Sequence, residues 1–193
     1  VKQNNYKCLI DMDGVLTNWI EGMCKCANID NPYEDPENYG IPRLNNTKNC
    51  PLKNEDMYKI MYRYAFWYNL KPLKHAQCII NTAFKVFGKD NVSILSKPSL
   101  APNSLTGKFD WLRNNFPEMI DKFIFGIDKS FCAREHNILL DDLPENTEAF
   151  NEAGGKAILM PAINNERHEE YLELLKSDDI SDWLTNEFKK YMR

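Results

Sequence analysis

Two pairs of aspartates carry the chemistry this sequence can be read for. Asp11 and Asp13 come directly after the run Tyr6-Lys7-Cys8-Leu9-Ile10, and Asp141 and Asp142 come directly after Asn137-Ile138-Leu139-Leu140. A carboxylate at the carboxyl end of a buried parallel strand sits where open α/β sheets bind ligands, and neighbouring strand ends converge there. Four carboxylates in one pocket repel one another, and a divalent cation that prefers hard oxygen ligands, Mg²⁺, removes the conflict. Aspartate is also a favoured helix cap. Capping accounts for one such pair more readily than for two that both end apolar strands. Gly14 lets the chain turn tightly just beyond the first pair and lets backbone approach a ligand.

The elements that would position these residues alternate along the chain. Strand-like runs recur at 6–10, 91–95, 122–127, 137–141 and 156–160. Helical patterns lie between them at 76–87, at 106–116 with Phe109, Leu112 and Phe116 on one face, and at 145–153, where Gly154-Gly155 gives a stop signal. The tail reads as two amphipathic helices, 166–176 and 178–192. This alternation predicts an α/β fold, a mostly parallel sheet with helices on both faces. Residues 18–73 break the rhythm. The stretch 28–51 is rich in Asn, Pro and Asp and reads as loop, whereas 55–68 reads as an unusually aromatic helix. The expected division is an α/β core over 1–17 and 74–193, with 18–73 as a small helical cap inserted after the first strand, over the carboxyl edge of the sheet.

Composition narrows the class. The chain has 193 residues, 43% hydrophobic and 27% charged, which is ordinary for a globular domain and unlike a disordered chain. No apolar run approaches the roughly 20 residues of a membrane span. The start, Val1-Lys2-Gln3-Asn4-Asn5, lacks the apolar core of a secretion signal. A net charge of −4 gives no basic footprint for polymeric nucleic acid. Six scattered cysteines without metal spacing suit free thiols in a reducing cytoplasm. His75, His136 and His168 are far apart and show no metal spacing either.

The run Leu9-Ile10-Asp11-Met12-Asp13-Gly14-Val15-Leu16-Thr17-Asn18 resembles the first motif of the haloacid dehalogenase superfamily. Val92-Ser93-Ile94-Leu95-Ser96 matches its second motif, a hydrophobic strand ending in Ser or Thr. Lys108, in Thr106-Gly107-Lys108-Phe109-Asp110-Trp111, best matches the lysine of the third, with Lys97 and Lys129 as rivals. Leu139-Leu140-Asp141-Asp142 matches the fourth. Within that superfamily the chain resembles the 5′(3′)-deoxyribonucleotidases. The likeness lies in Trp19 shortly after the first motif, Leu70-Lys71-Pro72-Leu73, Gly107 to Leu112 followed by Asn115-Phe116, and Asp128-Lys129-Ser130. The chain departs from that group at Leu95-Ser96-Lys97-Pro98, where the group usually shows Thr-Ser-Pro.

The resemblance implies a three-layer α/β/α fold and a Mg²⁺-dependent phosphatase acting on a small phosphate ester, a 5′-nucleoside monophosphate and most of all a deoxyribonucleotide. Asp11 is then the nucleophile and Asp13 the general acid and base. Mg²⁺ is held by the Asp11 carboxylate, the Asp13 carbonyl and one or both of Asp141 and Asp142. Ser96 and Lys108 hold the transferring phosphoryl oxygens. Trp19 is the expected platform for a base, with Phe66 and Trp67 as further candidates, because bases stack on aromatic rings. The same machinery would also serve a sugar phosphate or another small phosphomonoester. A non-catalytic phosphoryl-binding module is disfavoured by the presence of both Asp11 and Asp13. A homodimer is in keeping with a chain of this kind.

Overall fold

Cys8, Leu9 and Ile10 form a strand segment without a polar position, and all three are buried. A strand apolar on both faces belongs in the middle of a parallel sheet covered on both sides. That is its place in the computed structural model, which describes residues 5–192. The leader reading of residues 1–4 lies outside the described residues. In chain order the strands are β1 (Lys7–Ile10), β2 (Val92–Ser96), β3 (Phe123–Phe125), β4 (Asn137–Asp141) and β5 (Lys156–Leu159). They pair in parallel in the order β3-β2-β1-β4-β5. The order reverses at β1, so a crevice opens at its carboxyl end between chains that leave in opposite directions.

The helices are α1 (Trp19–Ala27), α2 (Asn54–Met61), α3 (Tyr64–Tyr68), α4 (Ala76–Phe87), α5 (Asn103–Asn115), α6 (Pro144–Glu152), α7 (His168–Leu174) and α8 (Ser181–Tyr191). Side chains alternate across the sheet. Cys8, Ile10, Ile94, Leu140 and Ile158 join a large core with Ile79 and Ile80 of α4, Trp111 and Leu112 of α5, and Leu184 and Phe188 of α8. Leu9, Leu95, Leu139 and Ala157 meet Phe150 of α6 and Ala133 on the other face. The architecture is three-layered α/β/α. Among the described residues no helix is long and apolar enough to cross a membrane.

Residues 18–73 leave and re-enter the sheet region at one point. The Asn18 N–H donates to the Lys71 carbonyl and the Leu73 N–H to the Leu16 carbonyl, each at 2.8 Å, and Thr17 and Pro72 form an antiparallel bridge. Between these crossings lie α1, α2 and α3. The stretch expected as loop, 28–51, contains three single 3₁₀ turns, Pro32–Glu34, Pro36–Asn38 and Leu44–Asn46. The first two start at a proline and are capped by Asn31 and Asp35, whose carboxamide and carboxylate oxygens accept from Tyr33 N and Glu37 N.

Two expectations need correction. The aromatic stretch 55–68 is not one helix. It breaks at Tyr62-Arg63, where Arg63 is extended, and the change of direction lets Phe66 and Trp67 turn inward while Tyr58 and Tyr62 stay exposed. In α5 the buried stripe is Ser104, Gly107, Lys108, Trp111 and Leu112, whereas Phe109 is 38% exposed. The stripe is displaced because it includes a lysine, which sequence patterning counts as a solvent-facing residue.

α3 lies directly against α5. A Cβ on Gly107 would stand 2.5 Å from Trp67 Cβ and 3.2 Å from the Tyr64 carbonyl oxygen. The missing side chain is therefore what allows this approach.

Candidate active site

β1, β2 and β4 end side by side, with Ile10 registered against Ile94 and Leu140. The next residue, Asp11, still donates its N–H to the Leu140 carbonyl at 2.9 Å. Its carboxylate is thereby level with Asp141, the last residue of β4. The chain then turns. Leu16 and Thr17 N–H groups both return to the Met12 carbonyl, and Gly14 has φ +82°. A Cβ on Gly14 would lie 2.2 Å from Asp142 Oδ2. Only glycine suits both that backbone region and that contact.

Asp11, Asp141 and Asp142 are buried, and their carboxylate oxygens lie within 4.8 Å of one another. Lys129, expected only as a rival for another position, enters this group. Its Nζ is 2.5 Å from Asp11 Oδ1 and 2.5 Å from Asp141 Oδ2. Asp141 is saturated, since its oxygens also accept from Leu143 N and Asn146 Nδ2 at 3.0–3.1 Å. Asp142 differs, because its Oδ1 is buried with no hydrogen-bond partner. Its backbone carbonyl, by contrast, is held by Asn165 Nδ2 at 2.8 Å.

Electrostatics mark the same residues. Burial pushes the Asp11 carboxyl up to about 7, Lys129 opposes the rise, and Asp141 and Asp13 add to it. Burial, then the Asp141 and Asp11 carboxylates, raise Asp142 well above the usual range. Burial would lower Lys129, but the two carboxylates override it and hold the ammonium above its ordinary value. A carboxylate oxygen left without a donor, among three converging acids that one lysine does not neutralise, suits a hard divalent cation. Asp11 and Asp142 could hold it directly.

The second acid of the first pair stands apart. The Asp13 side chain is 25% exposed. Its Oδ1 accepts from Thr17 Oγ1 at 3.1 Å and its Oδ2 from Lys108 Nζ at 2.5 Å. Lys108 is fully buried and also donates to Ser96 Oγ and the Lys97 carbonyl, both at 2.9 Å. Its ammonium lies 4.9 Å from the centre of the Trp67 ring. Ser96, the last residue of β2, thus meets Lys108 beside Asp13. This corner presents a hydroxyl, an ammonium and an acid next to the carboxylate cluster. Side chains that could accept a phosphoryl group, carry a proton and bind an anion therefore lie near one another.

The aromatic candidates divide. Trp19 is partly exposed at the start of α1 and packs edge-on against Phe66, with ring centres 6.2 Å apart. Phe66 and Trp67 are corrected to core residues, at 3% and 2% exposure. The Trp67 ring faces Lys108, meets Phe66 at 74° with ring centres 4.8 Å apart, and donates its N–H to the Met61 carbonyl at 2.7 Å.

Thr17, Asn146 and Asn165 were not singled out from sequence. Thr17 has a local signal, a hydroxyl four residues beyond Asp13 inside a turn. Asn146 stands in the first turn of the helix after the second acid pair. Asn165 has no local signal, being 23 positions from the carbonyl it holds.

The family model described as "5' nucleotidase, deoxy (Pyrimidine), cytosolic type C protein" matches residues 5–186. The 5'(3')-deoxyribonucleotidase of Bacillus subtilis (strain 168) is 25% identical over 179 residues, covering 89% of this chain and 94% of that protein. The protein of the same name from Bacillus phage SPbeta matches with the same figures. Among solved structures, a HAD family hydrolase from Deinococcus radiodurans R1, with bound phosphate and sodium, shares the fold. Its TM-score is 0.57 at 13% identity, covering 98% of this chain and 97% of that one.

Proposed function

Since the chain belongs to the deoxy, cytosolic type C 5′-nucleotidase family, phosphoric monoester hydrolases on a haloacid dehalogenase-type fold, we propose that it hydrolyses 5′-nucleoside monophosphates, deoxyribonucleotides in particular, with Mg²⁺ as cofactor. The observation that carries this reading is the division of labour at the end of β1. Asp11 lies in the carboxylate cluster against Lys129, whereas Asp13 lies outside it against Lys108 and Ser96.

In this reading Asp11 attacks phosphorus in line with the leaving oxygen, forming a phospho-Asp11 intermediate. Asp13 gives its proton to the departing alkoxide. It then takes a proton from the water that attacks phospho-Asp11, which releases phosphate and restores both acids. Ser96 and Lys108 hold the phosphoryl oxygens, the lysine as a buried point charge. Lys129 keeps the Asp11 carboxylate aimed and offsets part of the charge of Asp141. The Asp11 and Asp142 carboxylates and the Asp13 carbonyl would hold Mg²⁺, which supplies positive charge against the phosphate and its nucleophile. Residues 18–73 serve as the cap over a core of 1–17 and 74–193, and Trp19 is the aromatic contact for the base.

The test is phosphate release from deoxy- and ribonucleoside monophosphates, sugar phosphates and p-nitrophenyl phosphate, with Mg²⁺ and with EDTA. The expected result is Mg²⁺-dependent release that favours deoxynucleotides. Release from sugar phosphates alone would overturn the nucleotide assignment and keep the mechanism. Release undiminished by EDTA would overturn the metal assignment.

A further inference from the structure

Asn165 is 1% exposed and belongs to no helix or strand, yet both ends of its carboxamide are fully engaged. Its Nδ2 donates to the Asp142 carbonyl at 2.8 Å and to the Met160 carbonyl at 2.9 Å. Its Oδ1 accepts from Ala162 N at 3.3 Å and Arg167 N at 3.0 Å. Asp142 and Met160 are the residues just past β4 and β5, where strand pairing ends with the bond from Met160 N to the Asp141 carbonyl. The carboxamide thus continues the sheet where the backbone cannot. It fixes the peptide of Asp142, the one residue of the carboxylate cluster whose buried oxygen has no donor. The loop that carries Asn165 is held from its far side by residues 18–73. Gly40 N donates to the Ile163 carbonyl at 2.9 Å, and Asn164 Nδ2 to the Pro42 carbonyl at 3.4 Å.

We infer that Asn165 is a positioning residue for the divalent-cation site, acting through the Asp142 backbone to hold the free carboxylate oxygen toward Asp11. The inference rests on the proposed use of Asp142 as a cation ligand. A buried amide that orients a ligand from behind contributes to affinity without touching the ion, and loss of such a partner typically weakens binding about 10–100-fold. Its removal also strands two buried carbonyls.

The experiment is calorimetric titration of the full chain with Mg²⁺ alone, on the wild type, Asn165→Ala, Asn165→Ser and Asn151→Ala. Asn151 Oδ1 accepts from Ala157 N at 2.7 Å, so this control removes a comparable side-chain tie on β5 away from the carboxylates. The expected result is a Mg²⁺ Kd weakened about 10–100-fold in both Asn165 variants and unchanged in Asn151→Ala. Turnover of the Asn165 variants should recover to within about threefold of wild type at saturating Mg²⁺, a loss of affinity rather than of chemistry. A folded Asn165 variant that binds Mg²⁺ like the wild type overturns the inference. A wild type that binds no Mg²⁺ overturns the underlying reading instead. Should neither variant fold, the wild type alone decides. Coupling is reciprocal, so Mg²⁺ must slow hydrogen exchange at the Ala162 and Arg167 amides, and no slowing overturns the inference.

Discussion

Asp142 is the acid of the cluster that the protein itself leaves least satisfied. Its carboxyl is buried, held well above the ordinary range, and one of its oxygens has no donor. A folded-state pKa raised above the unfolded value means stability that is intact at low pH and lost as pH rises. The window opens near the ordinary carboxylate value, about 4, and extends upward through the value near 7 to which Asp11 is pushed. Asp142→Asn removes one of these ionisations. In EDTA it should melt with the wild type near pH 4 and several degrees above it by pH 8, as read by thermal unfolding across that range. With Mg²⁺ the order should reverse, because only the wild type keeps its ligand set. Asp11→Asn should keep the fold and lose turnover by about a thousandfold or more, and normal phosphate release from it would remove Asp11 as nucleophile. At this scale the acid pairs are legible because position along a strand determines where a side chain emerges. The division between Lys108 and Lys129 is not. Each lysine reaches its partners across a gap that sequence spacing does not encode, and only the fold shows that both pair with acids at the strand ends.

Among the elements, α5 shows where pattern reading fails and why. Its length and register are nearly legible, but its buried face is displaced by the lysine that the face carries, a proposed phosphate-binding group. Sites are where local rules are broken. The neighbouring glycine makes a direct test. In Gly107→Ala the new methyl group would press on Trp67 Cβ and the Tyr64 carbonyl, so α3 has to shift or α5 has to yield. Overpacking of this kind costs about 1–3 kcal/mol, which lowers the melting temperature by about 3–10 °C in a chain of this size. Because Lys108 is the next residue and lies over Trp67, inorganic phosphate should also inhibit the variant more weakly. An unchanged melting temperature would mean that α3 yields without resistance. The split between α2 and α3 was illegible for a different reason. Six aromatics in fourteen residues give no single face, and only the packing decides which of them turn inward.

At the scale of the whole molecule, the carboxylate cluster joins the ends of β1 and β4, so a cation bound there would tie together parts of the chain far apart in sequence. A ligand that binds only the folded state stabilises it by mass action, about 2.7 kcal/mol at a hundred times its Kd. Mg²⁺ at that level should raise the melting temperature by about 5–10 °C and EDTA should abolish the gain, while no shift at all would speak against the site. The parallel sheet, its order of elements and the excursion between β1 and α4 were legible, since each follows from runs of apolar residues and the breaks between them. The closure of that excursion was not. Thr17 and Pro72 pair across it, and the chain departs and returns within a single pair of backbone hydrogen bonds. To the sheet, everything from Asn18 to Lys71 therefore has no width. The entropic cost of closing such a loop grows only by about 0.6 kcal/mol for each doubling of its length. A change in the length of its loops consequently costs little at the end of β1, whereas a single residue inserted beside Asp141 would shift the acids that follow β4 out of register with Asp11.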